Sequence, residues 1–277
     1  MDEGDIQTGI RMFGYSIFEI IPTIIGCHVS WALTRKNIYS SFVDDDKFRY
    51  LDNAEYLQSL NLEGLEMMTF RLAKKEDLKE VFQLAAEAFF EYDFFGNYEK
   101  DYNKRRQFVY EMEKICLWVN YKRNQLIVGE ENGTIVIVIA LHEPGGSQAG
   151  PLEYALLGFK AIFKGCNFFK VLAFSMMDGA CEEPIIRLKE KTPNFYYLHN
   201  FAVRKDYQRK GYGAKALMEY LSGYIKEKGG GTLALITNSE DNVKFYGKCG
   251  FTCFHRGRVK SFGFWLGNWA FKKVIGV

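Results

Sequence analysis

The pattern of apolar and polar positions divides the chain near residue 66. Before that point, Met12 to Leu33 is apolar over about 22 residues, roughly the length of a membrane span. Glu19, the mid-run Pro22 and His28 argue against spanning, and the acidic opening MDEGD argues against a signal peptide. One or two buried helices broken at Pro22 are expected there. DDDK (44–47) and LNLEG (60–64) read as polar connections. Residues 1–66 are thus expected to form an N-terminal helical extension of unknown role, ahead of a main domain at 67–277.

From Thr69 the pattern becomes regular. TFRLA alternates as a strand. Leu78, Val81, Phe82, Ala85 and Phe89 then recur at helical spacing, with Glu76 and Asp77 in the favourable first turn. Phe108, Met112, Ile115 and Val119 mark a second helix. The stretch 125–141 reads as two strands around Asn132-Gly133, the strongest short hairpin signal. Pro151 suits a first helical position, and Leu152, Ala155, Leu156, Phe159 and Ile162 follow at helical spacing. FYYLHNFAV (195–203) is a strand. A glycine loop and a helix presenting Leu217, Tyr220, Leu221, Tyr224 and Ile225 come next, closed by Gly229, Gly230 and Gly231. TLALIT (232–237) is a buried strand. A short helix within 239–251, capped by Ser239 and stopping near Gly247, and two final strands complete the chain.

Composition changes this picture little. Apolar residues make up 48% and charged residues 25%, so a packed core is expected. Aromatics reach 16%, which points to a bulky core or an apolar cleft. The net charge of +2 comes with no dense basic tract, so no nucleic-acid partner is expected. Cys27, Cys116, Cys166, Cys181, Cys249 and Cys253 form no C-x-x-C pair and read as reduced thiols, placing the protein in the cytoplasm. His28, His142, His199 and His255 show no metal-ligand spacing, so no metal is expected.

The candidate chemistry sits at DYQRKGYGAKAL (206–217). A Walker-type loop fails, because it needs four residues between its glycines followed by Lys-Ser/Thr. Gly211, Gly213 and Ala216 satisfy the dinucleotide grammar formally, but no acid follows at the end of the next strand. The remaining grammar is Gln/Arg-x-x-Gly-x-Gly/Ala between a strand and a helix, met by Gln208, Gly211 and Gly213. Main-chain N–H groups at a helix start can bind an anion, and Arg209 and Lys210 add positive charge.

This segment resembles motif A of the GNAT superfamily of acetyl-CoA-dependent N-acetyltransferases. NSEDNVKFYGKCGF (238–251) resembles the C-terminal motif of the same family through Asn242, Tyr246, Gly250 and Phe251. FRLAKKEDLKEVFQLAAEAF and the hairpin at 125–141 look like its opening strand and helix and its next two strands. The resemblance covers about residues 68–271, and 195–217 is similar to the puromycin N-acetyltransferase-like branch.

The resemblance implies an α/β (α+β) GNAT fold. Its sheet would be mixed, mostly antiparallel and six- to seven-stranded, flanked by helices and splayed between its fourth strand (195–203) and its fifth (232–237). It implies acetyl-CoA as co-substrate. Phe201, Ala202 and Val203 would hold pantetheine through their main chain, and Gln208, Arg209, Lys210, Gly211, Tyr212, Gly213 and Ala214 the pyrophosphate, with Asn238 and Asn242 on the other side. Tyr246 matches the position of the proton donor to the leaving thiolate. His199 is a candidate base, with His142 and Glu143 behind it. Strict alternation on 195–203 puts Tyr197, His199, Phe201 and Val203 on one face. Glu182 and Glu183 read as solvated surface, or as carboxylates for a cationic substrate.

The expected reaction is acetyl transfer to a primary amine of a small molecule, with helices over 151–178 shaping the acceptor pocket. A homodimer is allowed and membrane association is not expected. The alternatives are acetylation of protein N-termini or lysines, and a non-catalytic acyl-CoA-binding module.

Overall fold

The computed structural model describes residues 39–41, 68–261 and 264–276. The apolar run about Pro22 and the rest of 1–66 lie outside the described residues. The one exception is β1 (Tyr39–Ser41), which pairs with the edge of the sheet.

β2 (Thr69–Leu72) leads into α1 (Leu78–Phe89), the single turn α2 (Asp93–Gly96) and α3 (Tyr102–Tyr121). Asp101 caps α3 by accepting the Lys104 N–H at 2.9 Å. β3 (Leu126–Glu131) and β4 (Thr134–His142) form the hairpin, and Asn132 and Gly133 have φ of 51° and 77°, as a type I′ turn requires. α4 (Pro151–Phe163), α5 (Phe168–Cys181) and α6 (Glu183–Lys189) fill the block before β5 (Phe195–Val203).

α7 starts at Tyr212–Lys215, passes through a π-helical stretch at Ala216–Leu221 and ends at Ser222–Glu227. The Ser222 hydroxyl donates to Leu217 O, five residues back, matching the wider turn. β6 (Gly231–Thr237), α8 (Glu240–Lys248), β7 (Thr252–Ser261) and β8 (Phe264–Ile275) follow.

The sheet order is β1-β7-β8-β6-β5-β4-β3-β2, and β5–β6 is its parallel pair. Seven of these strands are those expected from sequence, and β1 adds an eighth at the edge. α7 and α8 cover one face, where Leu217, Leu221, Ile225 and Val243 pack on Ile137, Ile139, Leu233 and Phe271. On the other face α1 sets Leu78, Val81, Phe82 and Ala85 against Val128, Val138 and Ala140. α2, α3 and α5 share an aromatic cluster with Val259 and Leu266, and α6 packs Ile185 on Phe195 and Tyr197. β4 is covered on both faces, which is why Ile135 to Leu141 are all buried rather than alternating.

Two sequence expectations are corrected. Leu152, Leu156 and Phe163 share one face of α4 but turn outward, at 59%, 57% and 88% exposed, so they do not line a pocket. On β5 the strict alternation fails. Ala140 pairs with Asn200 and Leu141 with Leu198, which leaves His199 as the extra residue of a β-bulge. The bulge exchanges the faces of the strand. Tyr196, Leu198, Phe201 and Val203 join the core under α7, while Tyr197, His199, Asn200 and Ala202 face the α1, α3 and α6 side.

Candidate active site

β5 and β6 pair from Phe195↔Thr232 to Leu198↔Leu235 and no further. The bulge begins at the next residue. From His199 onward the β6-facing side of β5 opens into a wedge, whose other wall is the end of β6.

At the far end of β5 lies the glycine loop. Gly211 has φ 91° and Arg209 φ 60°, so the chain turns through two left-handed residues before the helix. The earliest helical bond there runs from Lys215 N–H to Gly211 O. The N–H groups of Tyr212, Gly213 and Ala214 precede it and are donors for an anion. A Cβ on Gly213 would stand 3.3 Å from Phe245 Cζ and 3.5 Å from Val203 Cγ2, so glycine lets α7, α8 and β5 meet closely. The Tyr212 side chain is committed elsewhere, donating its hydroxyl to Glu131 Oε1 at 2.6 Å. The Gln208 side-chain amide donates to Val203 O at 2.9 Å and braces the loop against the strand. These residues fit a diphosphate held by main-chain N–H groups.

Tyr246 lies in the core on the α7–α8 face, its ring 5.8 Å from those of Phe251 and Phe271. Burial raises its phenol well above the ordinary value, with Tyr92 adding to the shift, so the hydroxyl keeps its proton at neutral pH. Tyr92 is a residue the sequence reading missed. Its hydroxyl accepts the Asn238 N–H at 2.8 Å and lies 3.0 Å from Thr237 Oγ1, at the end of β6. Asn242, at the start of α8, stands near this hydroxyl. Asn238 turns its amide to Gly267 O at 2.7 Å and to Asn268 Oδ1 at 3.2 Å, so that side chain fastens β6 to β8 instead of facing the wedge.

The opposite wall carries the polar cluster. Asn120 donates to Cys116 O at 2.8 Å and to His199 Nδ1 at 3.1 Å. Both amide hydrogens are then used, and its Oδ1 accepts from His142 Nε2 at 2.9 Å. With Nδ1 accepting, the neutral His199 ring carries its proton on Nε2, which faces Glu182 Oε1 at 3.6 Å. The Tyr197 hydroxyl donates to the same oxygen at 3.0 Å.

Burial lowers the pKa of His199, and it lowers that of His142 to about 3, with His199 adding to the effect. Both rings are therefore neutral. Enclosure raises Glu182, and raises Asp178 one turn earlier, with the charge of Glu182 pushing Asp178 further. Both carboxylates keep solvent contact, Asp178 the more, and water tempers these shifts. A cavity of about 140 Å³ opens here, lined among others by Glu182, His199, Tyr197, His142 and Tyr154. The end of α5 crosses the wedge: Cys181 O accepts from Asn268 Nδ2 at 3.0 Å while Glu182 touches β5.

The structure thus brings Phe201, Val203 and the 208–214 loop together, and brings His142 to His199, whereas Glu143 pairs with Lys228 and Tyr224. Among the described residues no cluster of His, Cys, Asp and Glu could hold a metal ion, and no helix is long and apolar enough to cross a membrane.

A wedge-split sheet with an anion loop at its mouth agrees with the family comparison. Residues 78–251 match the model of the Acetyltransferase (GNAT) family, and the chain belongs to that family. It is an N-acetyltransferase by membership; the match specifies no branch. No curated protein sequence matches it. Among solved structures, the Drosophila melanogaster polyamine N-acetyltransferase superposes with a TM-score of 0.51 at 11% identity, over 75% of this chain and 99% of that one. Arylalkylamine N-acetyltransferase 2 from Aedes aegypti gives 0.50 at 11%, over 76% and 99%. At such identities the likeness is one of fold.

Proposed function

We propose that the protein transfers an acetyl group from acetyl-CoA to a primary amine of a small molecule. The observation that carries this is the end of β5–β6 pairing at Leu198, which opens a wedge from His199 onward, with a cavity of about 140 Å³ that His199 helps to line. Acetyl-CoA would supply an activated acyl thioester. The N–H groups of Tyr212, Gly213 and Ala214 hold its pyrophosphate, with Arg209 and Lys210 beside them. The main chain of Phe201, Ala202 and Val203 lines the pantetheine, and a main-chain N–H near the bulge polarises the thioester carbonyl. Tyr246, protonated at neutral pH, donates to the leaving sulfur.

A cavity of about 140 Å³ suits a small amine better than a peptide. The names of the two solved relatives, which act on polyamines and arylalkylamines, support the same class. The test is a turnover screen with acetyl-CoA against tyramine, spermidine and lysine-containing peptides, reading free thiol, with thermal shift as a second channel. Release of thiol with an amine supports the reading. A protein that acetyl-CoA neither stabilises nor acylates through would sink it.

A further inference from the structure

The hydrogen bonds of the polar cluster all point one way. His142 donates to Asn120, Asn120 donates to His199, and the remaining N–H of His199 faces Glu182, which also accepts from Tyr197. Each ring is held in one tautomer by its partner. His199 therefore presents a donor to the cavity, not a lone pair, and cannot accept a proton there without first losing its own. Glu182 is where the chain of donors ends. It stands beside the wedge, because the end of α5 is fastened across the opening through Cys181 to Asn268.

We propose that Glu182 is the proton acceptor for the incoming ammonium, and that His199, Asn120 and His142 are positioning residues that hold its carboxylate. This rests on the reading that the protein acetylates small amines. Glu182 takes one proton from the ammonium and passes it to water. The neutral amine adds to the thioester carbon, the C–N bond forms and the C–S bond breaks. The nitrogen sheds its second surplus proton directly to water, and the sulfur takes one from Tyr246, which water restores. One proton is released per turnover.

The groups facing Glu182 are Tyr197 and His199 from β5, His142 from β4, Cys116 and Arg123 from α3, Tyr154 from α4, Asp178 from α5 and Lys189 from α6. The cavity's enclosure raises the carboxyl group of Glu182, which suits a base working near neutrality.

The experiment compares the full-length protein with Glu182→Gln, using tyramine, spermidine and hydroxylamine as acceptors. Hydroxylamine is uncharged at neutral pH and needs no prior deprotonation. Glu182→Gln should lower kcat/KM for the accepted ammonium substrate by about 100-fold or more. It should replace the limb set by Glu182 with a steady climb toward the amine's own pKa, so that activity recovers as pH rises, and leave transfer to hydroxylamine within a few-fold. His199→Asn should keep the acidic limb but move it to higher pH, since the carboxylate loses a facing donor. Equal loss for charged and uncharged acceptors, or an unchanged pH profile, would overturn the assignment while leaving the acetyltransferase reading intact. A wild-type protein that transfers to no amine would remove both.

Discussion

Asn200 donates its side-chain amide to Glu113 Oε2 at 2.8 Å, in a buried contact between β5 and α3. Burial raises the Glu113 carboxyl from the usual 4.5 to about 8, with Asn200 pulling it partly back. Folding therefore favours the protonated form. Stability from this group is fully present below the unfolded value and falls as pH rises from 4.5 to 8, by at most about 1.4 kcal/mol per pH unit. Glu113→Gln keeps an acceptor for Asn200 and removes the ionisation. Its melting temperature should exceed that of the wild type at pH 8 and match it at pH 4.5. Parallel melting curves across that range would show that Glu113 is not held neutral.

Gly211 sits at φ 91° and ψ −15° immediately before α7. An L side chain in the left-handed region costs about 1–2 kcal/mol, which the loop can relieve by leaving its bound geometry. Gly211→Ala should raise KM for acetyl-CoA about 5- to 30-fold, with a smaller effect on KM for the amine. Saturation kinetics in each substrate separates the two, and an equal rise in both would argue against a cofactor loop here.

Much of this was legible beforehand, and the parts that were not share a cause. The loop at 208–214 could be read because glycines and a helix start carry their geometry locally. The hairpin at Asn132-Gly133 is local in the same sense. The bulge at His199 is not. It exists because β4 supplies one partner where β5 supplies two residues, and no periodicity within β5 records that. The apolar repeat of α4 gave the helix but not which of its faces is covered. Glu182 looked like surface because its neighbours Tyr197 and His199 come from another element, brought close only by the path of α5 across the wedge. Tyr92 is fixed by contacts with Thr237 and Asn238, some 145 residues away in the chain.

Tyr246→Phe keeps the ring that packs on Phe251 and Phe271 and removes the hydroxyl alone. If the phenol protonates the leaving sulfur, kcat should fall about 100- to 10,000-fold with KM for acetyl-CoA little changed. Thermal stability should stay close to that of the wild type. Unchanged turnover in a steady-state thiol assay would remove Tyr246 from the chemistry and leave it as a core aromatic.

Phe271 is fully buried beneath Tyr246, at the centre of the α7–α8 face. Phe271→Ala should cost about 3–5 kcal/mol, a large part of the stability of a domain this size. Denaturant titration measures it directly, and a cost under about 1 kcal/mol would mean that the α7–α8 core is not packed as described.

Tyr92→Phe isolates the fastening of the β6 end. The hydroxyl accepts the Asn238 N–H and meets Thr237 Oγ1, so deleting it strands a main-chain donor where the wedge begins. A stranded donor costs about 1–3 kcal/mol when water cannot reach it and much less when it can. Asn238 is only half-buried, so the loss should sit at the low end of that range. The same hydroxyl stands near Asn242 at the start of α8, one turn before Tyr246, so losing it would loosen that end of the helix. A free α8 would place the phenol less accurately, so kcat should drop severalfold while the helix content stays constant. Amide exchange resolved by residue would show Asn238 and the first turn of α8 exchanging faster, with the α1–β4 core unchanged. Uniform acceleration across the domain would instead mean that Tyr92 supports the whole fold and has no local hold on the acid.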